Sequence, residues 1–247
     1  MKKPNAGSAA ASRHGIARVL SKRGLCSRTQ AADWVRSGRV RVNGRVIFDP
    51  EHPVYGEHDH IEVDGADAHA GKRIYLMLNK PRGVVTSARD EHGRDMVYRC
   101  FEGADLPWIA PVGRLDRASE GLLLFSNDPE WAARVSGPAR IAKVYHVQVN
   151  GIPEAAQLAR LQDGIEDQGE WLKTRAICLL RQGSRNAWLE IVLDEGRNRQ
   201  IRRMLAALDI GVLRLIRVAI GSIPLGDLGK GQWRYLSERE IKELSQT

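Results

Sequence analysis

Three stretches of this 247-residue chain combine residue types that could do chemistry. The first is Gly113-Arg114-Leu115-Asp116-Arg117-Ala118-Ser119-Glu120-Gly121-Leu122-Leu123-Leu124-Phe125-Ser126-Asn127-Asp128. It sets one carboxylate, Asp116, between two arginines on a short polar turn. Nearby positive charge favours an anion, so Asp116 suits the work of a nucleophile or an electrostatic stabiliser and not that of a general acid. The second is Lys143-Val144-Tyr145-His146-Val147-Gln148-Val149, where period-two alternation places Lys143, Tyr145, Val147 and Val149 on one strand face. The third is Glu195-Gly196-Arg197-Asn198-Arg199-Gln200-Ile201-Arg202-Arg203-Met204-Leu205, an arginine cluster entering a helix.

The elements that must position these residues follow from pattern. The apolar run after Asp116 predicts a buried strand, and the turn before it a rigid ledge. Residues 75–81, with Gly83, read as a strand ending in a turn; Asp128 and Pro129 read as the start of a helix running to Val135. Residues 188–193 and 213–218 read as strands. Between them Ile201, Met204, Leu205 and Leu208 share a helical face, with Asn198 as the expected cap and Gly211 past the end. Arg202 lies beside that face near the helix start, and Arg197 and Arg199 lie on the approach. Ser237 and Glu240 form a capping box for a closing helix.

A second, smaller unit precedes these elements. Ile16, Val19 and Leu20 recur at helical spacing up to Gly24, and Ser27 with Gln30 caps a second helix whose apolar face is Ala31, Trp34 and Val35. Gly38 ends it. Residues 39–47 then predict a hairpin turning at Asn43-Gly44, with Val40 and Val42 on one face and Arg39 and Arg41 on the other. Residues 61–63 read as a further strand. The expected division is a basic, disordered tail at 1–14, a module at 15–65, a linker at 66–73 and a catalytic body at 74–247.

Composition narrows the function classes. Residues 1–45 hold eleven Lys or Arg against one acid, Asp33, out of a net charge of +8 for the chain. Such a concentration is the footprint of a polyanion partner. No apolar stretch approaches a membrane span, and the N-terminus lacks the apolar core of a secretory signal. Cys26, Cys100 and Cys178 are too far apart for a disulfide framework or a zinc site and fit a reducing cytoplasm. His58 and His60 read as part of a solvated loop, so no metal is expected.

The 113–128 stretch resembles the GRLD-x-x-(S/T)-x-GLL motif of the pseudouridine synthases, and is most similar to the Rsu-type group acting on ribosomal RNA. That resemblance makes Asp116 the essential catalytic residue. The Lys143-x-Tyr145 step is similar to the family's K-x-Y motif, which implies that Tyr145 stacks on the target base and can serve as a base. The Arg197–Arg203 cluster resembles the third motif, whose basic residue pairs with the aspartate. Register on Gln200-Ile201-Arg202 gives that role to Arg202, with Arg199 as the alternative. The family pattern puts Leu215 on the pocket floor, and Arg114, Leu115, Lys143 and Arg199 join it as substrate-binding residues. The module resembles the S4-type RNA-binding domain through Leu20, Ser27, Arg28, Ala31, Gly38, Val40, Val42, Asn43 and Gly44. Its expected RNA contacts are Arg28, Arg36, Arg39, Arg41 and Arg45.

The resemblance implies an α+β protein: a small αα-hairpin and β module, then a mixed, largely antiparallel sheet with packed helices. It implies isomerisation of uridine to pseudouridine in ribosomal RNA, free or in a pre-ribosomal particle. No cofactor, metal or membrane is expected, and the protein is expected to be a cytoplasmic monomer. Two other classes stay open: a non-catalytic RNA-binding or ribosome-assembly factor, and an N-glycoside hydrolase that admits water to the same aspartate.

Overall fold

The computed structural model describes residues 13–56, 58–87, 96–137 and 141–246; the expected tail at 1–14 falls almost wholly outside them. The chain divides into two compact units, one built chiefly from residues 1–73 and the other chiefly from residues 74–247.

In the first unit, helices α1 (Ile16–Lys22) and α2 (Arg28–Arg36) pack on a four-stranded sheet of β1 (Val40–Val42), β2 (Arg45–Val46), β3 (Ile61–Val63) and β4 (Ala66–Asp67). Ser27 caps α2 as its sequence requires: its Oγ accepts from the Gln30 N–H at 3.1 Å, and the Gln30 side chain accepts from the Ser27 N–H at 3.1 Å. Asn43 and Gly44 take positive φ angles of 50° and 79°, the left-handed pair that a two-residue hairpin needs. Ile16, Leu20, Ala31, Val35 and Val40 are fully buried and form its core. The expected linker starts too early. Asp64 and Gly65, at φ 53° and 79°, make a second two-residue turn that returns Ala66–Asp67 to the sheet.

Among the described residues, the second unit is built on a nine-stranded sheet. Its strands used below are β5 (Tyr75–Lys80), β6 (Ala110–Val112), β7 (Glu120–Ser126), β8 (Lys143–Asn150), β9 (Ala176–Gln182), β10 (Asn186–Leu193) and β11 (Val212–Ile220). The central order is β9-β10-β8-β11-β7-β5, with β6 alongside β7. The ladders are antiparallel except β7 with β11, which pair in parallel. Every residue of β7 is buried, as its apolar run requires. Gly121 makes the parallel pairing possible. A Cβ there would stand 2.3 Å from the Arg217 carbonyl oxygen, closer than atoms can approach, and the residue sits at φ 102°.

Helices α3 (Pro129–Ser136) and α4 (Glu238–Gln246) cover one part of this sheet through Trp131, Val135 and Leu244. The arginine-cluster helix, α5 here, runs Gln200–Ala206 and is capped by Arg199 in the left-handed conformation (φ 49°), not by Asn198. The reason is Gln200. Its side chain is buried and folds back to donate to the carbonyl of Lys173 (3.1 Å) and to Glu195 (2.9 Å), fixing the approach one residue later than the cap rule suggests.

Candidate active site

The Asp116 turn is built on a buried lysine. Lys80 ends β5 with 0% exposure, and its Nζ donates to the carbonyls of Ser119 (2.8 Å), Pro81 (3.1 Å) and Asp116 (3.2 Å). The turn closes on itself through the Ser119 N–H to the Asp116 carbonyl at 3.0 Å, and Thr86 Oγ donates to the Leu115 carbonyl at 2.8 Å. The backbone of Asp116 is therefore held from both sides, while its side chain remains 42% exposed. Burial pushes the Lys80 ammonium down to about 8, with Cys100, Asp116 and Glu120 pulling the other way. Next along the motif, Glu120 is buried. Its burial works against the carboxylate, yet Arg214 (2.9 Å) and Lys230 (3.0 Å) outweigh it and hold the group below the usual carboxylate range.

The arginines of the first and third motifs divide their work. Arg117 turns away and donates to the Gly83 carbonyl at 2.9 Å. Arg199 reaches the Asp116 carboxylate at 3.5 Å, so the direct ion pair belongs to the residue that register made the alternative. Arg202 donates to the Ala118 carbonyl at 3.3 Å, on the same turn, and its buried Nε meets no acceptor among the described residues. Burial holds the Arg202 guanidinium below its ordinary value; the charge of Arg199 adds to this and Asp116 opposes it.

Asp116 opens onto a cleft of about 970 Å³ lined also by Arg114, Leu115, Lys143, Tyr145, Arg199, Arg202 and Leu215. Folding thus gathers in one place all eight residues singled out for catalysis and substrate binding. Of these, Tyr145 and Leu215 are buried, 7% and 6% exposed. Lys143 Nζ donates to the Ile141 carbonyl at 2.8 Å. Sequence reasoning passes over three further residues. Lys80 reads there as a strand end or an RNA contact in a segment similar to the family's LNKPxG, and not as the buried support of the Asp116 turn. Arg217 follows Leu215 by two positions, so alternation along β11 is the available signal. Trp171, 59% exposed, stands on the cleft wall in a segment with no pattern to mark it.

The module's arginines are less free than their sequence suggests. Arg28 pairs with Glu51 (3.1 Å), Arg36 with Asp33 (3.4 Å) and Arg39 with Asp64 (2.5 Å). Arg41 donates to the Gly44 carbonyl at 3.2 Å. Among the described residues, one group of three metal-ligand types lies close together, His60, Glu62 and Asp67 in the module, where His60 already pairs with Asp67 at 2.5 Å. No helix among the described residues is long and apolar enough to cross a membrane.

The fold is similar to that of a solved pseudouridylate synthase: TM-score 0.66 at 28% identity, covering 94% of this chain and 99% of that one. Residues 74–207 match the family model for RNA pseudouridylate synthase, and residues 15–61 match the S4 domain. An uncharacterized RNA pseudouridine synthase of Aquifex aeolicus (strain VF5) is 38% identical, covering 93% of this chain and 92% of its own. The ribosomal large subunit pseudouridine synthase B of Bacillus subtilis (strain 168) is 36% identical, covering 93% of this chain and 94% of its own. The chain belongs to the RNA pseudouridine synthase family, with an S4 domain at its N-terminal side.

Proposed function

We propose that this enzyme converts a uridine of ribosomal RNA to pseudouridine, with Asp116 acting on the ribose of a nucleotide swung out of the stack. One observation carries the reading: a carboxylate on a backbone held from both sides shares a cleft with Tyr145 and Leu215, with Arg199 at 3.5 Å from it and Arg202 bonded to the Ala118 carbonyl of its turn. Asp116 attacks C1′ or removes a sugar proton; by either route the C1′–N1 bond breaks and the uracil turns and rejoins through C5. Tyr145 offers the extruded base an aromatic face, Leu215 and Leu115 close the apolar side, and Arg114 and Lys143 engage the nucleotide. Extrusion costs about a few kcal/mol, so an unpaired or accessible uridine is the expected target. The S4-type module supplies RNA affinity through Arg28, Arg36, Arg39, Arg41 and Arg45.

The relative in Bacillus subtilis is named for the large ribosomal subunit, which makes large-subunit RNA the first substrate to examine. The enzyme acts as a cytoplasmic monomer; its three cysteines, none in a disulfide, fit that compartment. Mapping pseudouridines in both large ribosomal RNAs, with and without this protein, tests the proposal. A discrete position that loses its pseudouridine when the protein is absent supports it, and identical maps contradict it.

A further inference from the structure

Arg217 is a buried cation that the catalytic and binding roles above leave unused. It sits on β11, 5% exposed, beside Tyr145 on β8 and Gly121 on β7 in the strand registers, and it lines the cleft. Its Nε donates to the Leu122 carbonyl at 2.7 Å, which fixes the plane of the guanidinium. Its Nη2 is buried and has no acceptor among the described residues. Lys143, on the same wall, is held below its ordinary value by burial first and then by the charge of Arg217. Neither cation has an ion-pair partner among the described residues; each spends a donor on a neutral carbonyl.

A buried guanidinium without a carboxylate is costly to keep, and a donor with no acceptor adds to that cost. Both costs are recovered if the missing acceptor arrives with the substrate. We infer that Arg217 donates to a carbonyl oxygen of the target uracil and stabilises the negative charge that collects there when the C1′–N1 bond breaks. The inference rests on the isomerase reading above. Heterolysis leaves the bonding electron pair on uracil N1, delocalised onto O2 and O4, while Asp116 meets the deficit at C1′. Rejoining uses that charge to form C5–C1′; the C5 proton leaves and N1 takes one up, so neither oxidant nor reductant is needed. A neutral base enters the site and becomes anionic only as its bond breaks, so a fixed cation at its oxygen favours the transition state over the ground state. The neighbours Tyr145 and Leu215 suit a flat ring better than a hydrated phosphate.

The test couples protein and substrate changes. Single-turnover rates are measured for wild type, Arg217→Gln and Arg217→Lys on RNA carrying uridine, 2-thiouridine or 4-thiouridine at the mapped position, because sulfur accepts hydrogen bonds poorly. Arg217→Gln is expected to slow the reaction by about 10²–10³ with RNA affinity unchanged. One thio substitution should slow wild type and add nothing further in Arg217→Gln. If melting shows that Arg217→Gln does not fold, Arg217→Lys carries the same comparison, and the thio penalty should shrink in it. Thio penalties of equal size in wild type and variant, no penalty in wild type, or a loss confined to RNA affinity (the mark of a phosphate ligand) would overturn the inference. Wild-type conversion of the unmodified RNA is the control for the isomerase reading itself: its absence would count against that reading and not against Arg217 alone.

Discussion

The arginines of the S4-type module and the buried cations at the catalytic cleft use positive charge in opposite ways. In the module, Arg28, Arg36 and Arg39 lie in the open and pair with Glu51, Asp33 and Asp64, all with side chains at least 44% exposed. Such pairs are worth about 0–1 kcal/mol and are screened by salt, so a phosphate can displace the acid at little cost. On the cleft, the half-buried Lys143 and the buried Arg217 donate to backbone carbonyls, as the buried Lys80 does under the Asp116 turn, and none of the three has a carboxylate in ion-pair contact among the described residues. The module's charge is exchangeable and non-directional. The charge of Lys80, Lys143 and Arg217 is held in place by backbone bonds, unlike that of Arg197 and Arg199 on the same cleft, which pair with partly exposed acids; fixed charge is what a reaction that moves charge onto a base requires.

The contrast predicts effects of graded size. The largest belongs to Asp116→Asn, which keeps shape and hydrogen bonding but removes the anion; single-turnover pseudouridine formation should fall by at least about 10⁴ with the melting temperature unchanged. Next come the two arginines of the third motif. Arg202 is half-buried and bonds the Ala118 carbonyl of the turn, so Arg202→Ala should cost about 10²–10³ in the same assay with little change in RNA affinity. Arg199 meets Asp116 at 3.5 Å between side chains 52% and 42% exposed, and its removal should cost less than about tenfold. The reverse ranking would show that the direct Arg199–Asp116 pair, and not the support of the turn by Arg202, governs the chemical step.

Lys80 should reveal itself through stability and pH. Lys80→Met leaves the carbonyls of Pro81, Asp116 and Ser119 without their donor, and should destabilise the fold by about 2 kcal/mol at neutral pH in a denaturant titration. In the folded protein the ammonium is pushed down to about 8 from 10.5, so over that interval the unfolded chain binds more protons. Its contribution to stability therefore rises as pH climbs through that window, and this rise should be missing in Lys80→Met. The smallest effect should come from the module. Replacing Arg39, Arg41 and Arg45 with alanine should lower the log–log salt slope of RNA binding by about 0.7–0.9 for each phosphate left unneutralised, with the saturated rate intact. A slope that does not move would transfer RNA docking to the Arg197–Arg203 region.

What could be read from sequence followed local rules. The Ser27–Gln30 capping box, the Asn43-Gly44 hairpin and the buried strand after Asp116 each depend on residues within a few positions of one another, and all formed as expected. The motif residues also gathered in one cleft. The misses came from distance. Arg199 displaced Asn198 as the cap because Gln200 is held by Lys173, 27 positions earlier in the chain. Asp64-Gly65 carried the same turn signal as Asn43-Gly44, but the strand after it is only two residues long and shows no alternation. Lys80 supports the Asp116 turn from 36 positions away. Arg217 acquires its setting only when β11 lies parallel to β7, a pairing that no pattern within either strand announces.

The most direct test of isomerisation at Asp116 follows the hydrogen on C5. The target RNA is labelled with tritium at uridine C5 and incubated with wild type and with Asp116→Asn. Rejoining through C5 must expel that hydrogen while the base stays in the chain. Tritium should therefore be released to water in step with pseudouridine formed, with no free uracil, and with no release from Asp116→Asn. Free uracil in the supernatant, or release that persists in the Asp116→Asn protein, would contradict that role for Asp116.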